Sequence, residues 1–152
     1  MTTYEELRAR AQEAWRPFAE PQRPLIKIGV STCSRVVGTE ETLAALRSEL
    51  ATRGLEADVM TTGCWGLCYA EPVVEVRRPG APGVLYGNLS ADKVPQLIEE
   101  AVAADGIAAE LALAALADEP FKGVPPLRSL EFFAAQERRL MANCGIIDPE
   151  NI

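Results

Sequence analysis

The sequence contains no histidine. That absence removes the imidazole base of a Cys–His nucleophile pair and leaves a zinc site to be built from all four cysteines, with no substitute nitrogen donor. Basic residues are also short: 15 Lys and Arg stand against 22 Asp and Glu, for a net charge of −7 and a pI near 4.7. No Lys/Arg cluster offsets that balance, so binding to a nucleic-acid phosphate backbone is not expected. Long apolar runs are missing as well. The charge-free stretch between Asp58 and Glu71 is broken by Gly63, Gly66 and polar threonines, which argues against a membrane span. The N-terminus, MTTYEELRAR, carries acids where a secretion signal needs an apolar segment, so a cytoplasmic location is expected. In that reducing compartment four cysteines read as metal ligands, redox groups or small buried side chains before they read as disulfides. A C-x-x-C motif is absent, which removes the usual signature of a thiol–disulfide exchanger.

What is present suits one core. A chain of 152 residues, 48% hydrophobic and 24% charged, is the size of one domain with decorated ends. Thr3 and Glu6 form a capping box ahead of a short helix over residues 3–15, and three prolines within RPFAEPQRP then predict a linker. LIKIGV is a β-rich run. TEETLAALRSELATRG follows with Leu43, Leu46 and Leu50 on one helical stripe and Gly54 placed as its C-cap. EADVMTT reads as a second strand, parallel to the first across a right-handed crossover. VVEVRR and VLYGNL flank the turn PGAPG and predict an antiparallel hairpin. SADKVPQLIEEAVAA closes the unit as a helix capped by Ser90, with Val94, Leu97, Ile98, Ala101 and Val102 facing the core. Beyond Asp105, GIAAELALAALADE predicts an alanine-rich helix, and SLEFFAAQERRLMANCG another, capped by Ser129 and stopped near Gly145.

The chemistry concentrates in TGCWGLCYAEP. Cys64 and Cys68 are separated by three residues in a glycine-bearing loop between two strands, and such a loop can turn two thiolates toward one point. Cys33, in GVSTCS, follows the first strand at the same sheet end. One cysteine alone would read as a buried apolar side chain; three at one sheet end read as a candidate metal site. Trp65 either packs over that site or marks a docking surface. Tyr69 and Glu71 read as hydrogen-bonding or solvated loop groups rather than as an acid–base pair.

Residues 25 to 103 resemble the thioredoxin-like [2Fe-2S] ferredoxins, a family that includes the ferredoxin-like subunit of NADH:quinone oxidoreductase and the N-terminal extensions of some of its flavin subunits. The resemblance implies a thioredoxin-like α/β fold with a mixed four-stranded sheet, ordered β-α-β-β-β-α, and extra helices at both ends. It divides the chain into a leading helix and Pro-rich linker (1–24), a ferredoxin-like domain (25–104) and a helical tail (105–152). The family places its ligands as C-x4-C and C-x3-C. Cys64 and Cys68 match the second pair, Cys33 matches the later cysteine of the first, and Ile28 stands where the earlier one would be. The implied metal ligands are therefore Cys33, Cys64 and Cys68, one thiolate short of a [2Fe-2S] set, so a stable four-thiolate cluster is not expected. The run FFAAQERRLMANCGIIDPENI resembles the segment that opens the FMN- and NADH-binding module of the flavin subunits in NADH dehydrogenases and in related hydrogenases and formate dehydrogenases. FMN and NADH are accordingly expected on an absent module or a partner subunit, and Cys144 belongs to that junction rather than to the ligand set.

The function implied is an electron-transfer or assembly module of an NADH-linked multi-subunit oxidoreductase, not catalytic alone, with a cluster-free subunit-interaction domain as the alternative. Three structural expectations accompany it: a cis Glu71–Pro72 bond, three thiols in one pocket, and a tail from about Asn143 that frays or seeks a neighbour because Ile146, Ile147 and Ile152 have no further core to enter.

Overall fold

The computed structural model describes residues 2–147. Helix α1 (Tyr4–Ala19) begins at the anticipated capping box, with the Thr3 N–H donating to Glu6 Oε2 at 2.8 Å and the Glu6 N–H donating to Thr3 Oγ1 at 3.3 Å. It runs through Pro17, further than the proline content suggests. Pro17 lies in the last turn, where its missing N–H deprives only one carbonyl, and this helix buries no residue, so water can serve that carbonyl.

Five strands form one sheet in the order β2-β1-β3-β4-β5. Strand β1 (Leu25–Gly29) pairs in parallel with β2 (Asp58–Thr62) and antiparallel with β3 (Val74–Arg77), which pairs antiparallel with β4 (Val84–Tyr86). The β1–β2 crossover contains a one-turn helix, α2 (Thr32–Val36), and then α3 (Thr39–Arg53). Helix α2 has no apolar periodicity to announce it; a reciprocal pair of bonds, the N–H of each of Ser31 and Ser34 donating to the other's Oγ, caps it. Helix α3 is tied to the end of β1 by Thr39 Oγ1 donating to the Gly29 carbonyl at 3.0 Å and to the segment after β4 by Thr42 Oγ1 donating to the Leu89 carbonyl at 2.9 Å. Gly54 ends α3 in the left-handed region, φ 63°, as its C-cap position anticipates.

Residues 91–103 make a single helical run that changes pitch, with 3-10 geometry over Ala91–Lys93, α4 over Val94–Leu97 and π geometry over Ile98–Ala103. Ser90 occupies the cap position without a side-chain bond to the helix backbone. Ile26, Ile28, Val74, Val76, Val84 and Tyr86 on one sheet face meet Leu46, Leu50, Val94, Leu97 and Ile98 from these helices in the main core. On the opposite face Lys27 stands across from Glu75, 3.2 Å apart with both side chains buried, beside a second cluster formed by Trp65, Leu67, Ala70, Val73, Leu85 and Phe133.

Two tail expectations are corrected. Ala112–Ala115, inside the stretch expected to be helical, is strand β5, so the sheet has five strands rather than four. Helix propensity is outweighed there by pairing with β4, whose Val84, Leu85 and Tyr86 would otherwise leave an open ladder edge; the pairing buries Ala114 and Ala115 completely. The second tail helix shrinks to α5 (Glu131–Ala134), preceded by a 3-10 turn at Leu127–Ser129 that holds the residue expected as its cap. After it the chain follows turns because its side chains are committed elsewhere: Phe133 enters the second cluster and Arg138 Nη2 donates to the Trp65 carbonyl at 3.0 Å. Gly145 is buried against the Trp65 ring, where a Cβ would overlap ring carbons, so the chain packs internally as far as that residue. Ile146 and Ile147 are exposed, and Ile152 lies outside the described residues. No helix among the described residues is long and apolar enough to cross a membrane.

Candidate functional site

The parallel pairing of β1 with β2 brings two loops out of the sheet side by side. Gly29 and Thr62 are register partners, and the Val30 N–H donates to the Thr62 carbonyl at 2.8 Å. From this end β1 leads into α2, which carries Cys33, and β2 leads into the loop that carries Cys64 and, at the start of a 3-10 turn, Cys68. Gly66 lets the second loop close tightly. Its φ of 80° is one that a side chain rarely adopts, and its N–H donates to Cys64 Sγ at 3.2 Å.

The result is a thiol pair: Cys64 Sγ and Cys68 Sγ lie 4.0 Å apart. Thiolates held at about 2.3 Å by one tetrahedral metal are roughly 3.8 Å apart, so this spacing suits two ligands of a single ion. Cys33 is exposed on α2, and among the described residues no three Cys, Asp or Glu side chains form a group able to hold a metal ion. The fold thus brings two of the three expected thiols together and leaves Cys33 at the same sheet end without joining them. Cys144 is half-buried beside Trp65 in the folded-back tail, not within a ligand group.

A [2Fe-2S] cluster asks for four thiolates, two for each iron. The second loop provides one such half. For the other half the chain offers Cys33 and, five positions earlier, Ile28, which is completely buried in the core between the sheet and the helices. Its side chain has no donor atom. The residues present therefore do not fit a four-thiolate cluster, and no electron step through one follows from them.

The electrostatics of the pair favour the thiol form at Cys64. Partial burial pushes its pKa up, the Gly66 N–H bond pulls it down, and the neighbouring Cys68 and Glu71 add smaller upward contributions. A protonated, partly shielded thiol is a poor nucleophile. Of the two roles expected for Glu71 the structure shows the hydrogen-bonding one and not the solvated one: it is 6% exposed, with Oε2 accepting from the Val73 N–H at 2.8 Å and Oε1 without a partner among the described residues. Burial pushes its pKa up, against the opposing effect of the Val73 N–H. Close approach to the β1 end explains its place: a Cβ on Gly29 would lie 3.7 Å from both carboxylate oxygens. The Glu71–Pro72 peptide is cis, as expected from its position at the entry to β3. Tyr69 is exposed and meets Phe132 edge-on, while Trp65, at 3% exposure, packs over the second cluster and is not a surface anchor.

No family model matches the sequence. The chain is 29% identical over 127 residues, 82% of its own length and 90% of the relative's, to the NADP-reducing hydrogenase subunit HndB of Solidesulfovibrio fructosivorans. It is also 39% identical over 61 residues to a [2Fe-2S] ferredoxin of Clostridium pasteurianum, a match spanning 39% of this chain and 57% of that one. Among solved structures it superimposes on the thioredoxin-like [2Fe-2S] ferredoxin of Aquifex aeolicus with a TM-score of 0.54 and 21% identity, covering 60% of this chain and 97% of the ferredoxin. The fold is therefore thioredoxin-like.

Proposed function

We propose that this chain is an electron-transfer or assembly module of an NADH-linked multi-subunit oxidoreductase, built around a degenerate [2Fe-2S] site. The observation that carries this reading is the Cys64–Cys68 pair, 4.0 Å apart on the loop after β2 of a thioredoxin-like sheet. Similarity to a hydrogenase subunit over most of both chains supports it. In this reading Cys33, Cys64 and Cys68 are what is retained of the ligand set, and the catalytic centres lie elsewhere. FMN and NADH belong to a flavin module of the NADH dehydrogenase type, on a partner subunit or fused beyond this segment, and residues 105–152 lead toward it. The module works in the cytoplasm, without nucleic acid and without entering a membrane.

Burial of Ile28 in the helix-side core favours a second reading within the same complex, in which the domain holds subunits together and carries no cluster. Both readings require a flavin module, on a partner subunit or in the same polypeptide. A tagged chain recovered from its own cells should copurify with a flavin subunit that oxidises NADH, and deleting it should abolish electron transfer from NADH to the terminal acceptor of that complex. Recovery of the chain alone, with NADH-dependent activity unchanged by the deletion, would overturn both.

A further inference from the structure

The sheet face opposite α3 and α4 floors a second site, separate from the thiol pair. It is a cavity of about 810 Å³, with Lys27 and Glu75 among its lining residues and the turns after α5 as one wall. That size lies within the ~300–1,000 Å³ range of small-molecule sites. Trp15, Phe18, Trp65 and Phe133 supply its apolar lining.

Charge sets this cavity apart. Five cationic side chains line it, Lys27, Arg77, Arg128, Arg138 and Arg139, against two carboxylates, Glu75 and Glu137. The chain as a whole has a net charge of −7. Glu75 is already engaged by Lys27 at 3.2 Å and by Arg77 at 3.1 Å, and Glu137 by Arg139 at 2.7 Å. Arg128 and Arg138 make no ion pair among the described residues. Two buried donors also lack an acceptor among those residues, and both belong to residues that line the cavity: the Trp65 indole N–H and the Arg138 Nε–H. Trp65 is 3% exposed, so bulk water does not readily serve its indole. A buried N–H without an acceptor is costly, and a concave site with excess positive charge concentrates anions.

We propose that this cavity binds a small multivalent oxyanion, a polyphosphate or a polycarboxylate, with Arg128 and Arg138 as its charge partners and the tryptophans as its apolar wall. The proposal does not depend on the redox reading of the thiols. A small anion fits better than an acidic polypeptide segment, because the segment would also bury backbone groups that this lining has few means to satisfy.

Both tryptophans of the chain line the cavity, so intrinsic fluorescence reports on it directly. The full chain is titrated at low ionic strength with pyrophosphate and, separately, with citrate, the two arms distinguishing phosphate from carboxylate. A saturable change with at least one anion is expected. It should persist in Trp15→Phe, weaken with added salt, and lose affinity roughly tenfold in each of Arg128→Gln and Arg138→Gln. Arg128 is exposed, so Arg128→Gln carries the test should Arg138→Gln fail to fold. No saturable response to either anion, or unchanged affinity in the folded Gln variants, overturns the proposal. A response to a polyglutamate peptide alone also overturns it and makes the cavity a protein-docking surface.

Discussion

The loops that follow β1 and β2 leave the sheet side by side, yet they have been put to different uses. The loop after β2 turns two thiols toward one point, with Gly66 closing the backbone around Cys64 and Cys68 4.0 Å away. The segment around the end of β1 leaves one thiol exposed on α2 and gives Ile28 to the hydrophobic core. One side of the sheet end gathers two thiols and the other fills the core.

The contrast predicts unequal costs of substitution. Ile28→Ala should destabilise the fold by about 2–5 kcal/mol, because the side chain is fully buried among Ile26, Val74 and the α3 side chains and leaves a cavity. Cys33→Ser and Cys68→Ser, at exposed positions, should each change stability by less than about 0.5 kcal/mol. Denaturant unfolding with unchanged m-values checks both. An Ile28→Ala cost as small as that of the cysteine variants would remove the distinction between a packing half and a thiol-bearing half.

A smaller effect comes from Glu71, beside the thiol-bearing half. Its pKa is raised in the folded chain, so the native state holds its proton more tightly than the unfolded state does. Stability from this group is therefore fully present below the ordinary glutamate value and is lost as pH rises through the folded pKa. Glu71→Gln in iron-free protein should flatten that part of the stability–pH curve, with the variant gaining relative to wild type as pH rises. A curve that keeps the wild-type slope would show that Glu71 is ionised at no cost.

The smallest effect is on thiol reactivity. Alkylation should reach exposed Cys33 before half-buried Cys64, and Glu71→Gln should modestly speed modification of Cys64 by removing a neighbouring negative charge that raises its pKa. Peptide mapping after timed iodoacetamide treatment reads both, and modification of Cys64 ahead of Cys33 would contradict the electrostatic account.

Where local signals and tertiary needs agreed, the chain was legible from sequence. The Thr3–Glu6 capping box, the Leu46 and Leu50 stripe, the Gly54 cap and the four strands from Leu25 to Tyr86 stand where periodicity and turn chemistry put them. The spacing of Cys64 and Cys68 was equally readable, since a four-residue offset around Gly66 constrains its own geometry. Legibility failed where a distant partner decided the outcome. Ala112–Ala115 has helical composition and becomes a strand because β4 needs a neighbour, a demand no local window contains. Arg138 and Gly145 are drawn to Trp65, 73 and 80 positions back, and their tail becomes turns instead of helix. Whether Glu71 would be a hydrogen-bonding or a solvated loop acid was not legible locally, because its burial arises from its approach to the end of β1.

The central claim, a redox-complex module whose cluster site is degenerate, is tested most directly by iron and acid-labile sulfide analysis of anaerobically purified chain, together with its visible spectrum. The account predicts iron and sulfide well below two each per chain and no stable, reducible [2Fe-2S] spectrum. Two irons and two sulfides per chain, with a reducible spectrum that survives Cys144→Ala and is lost in Cys64→Ala, would contradict it.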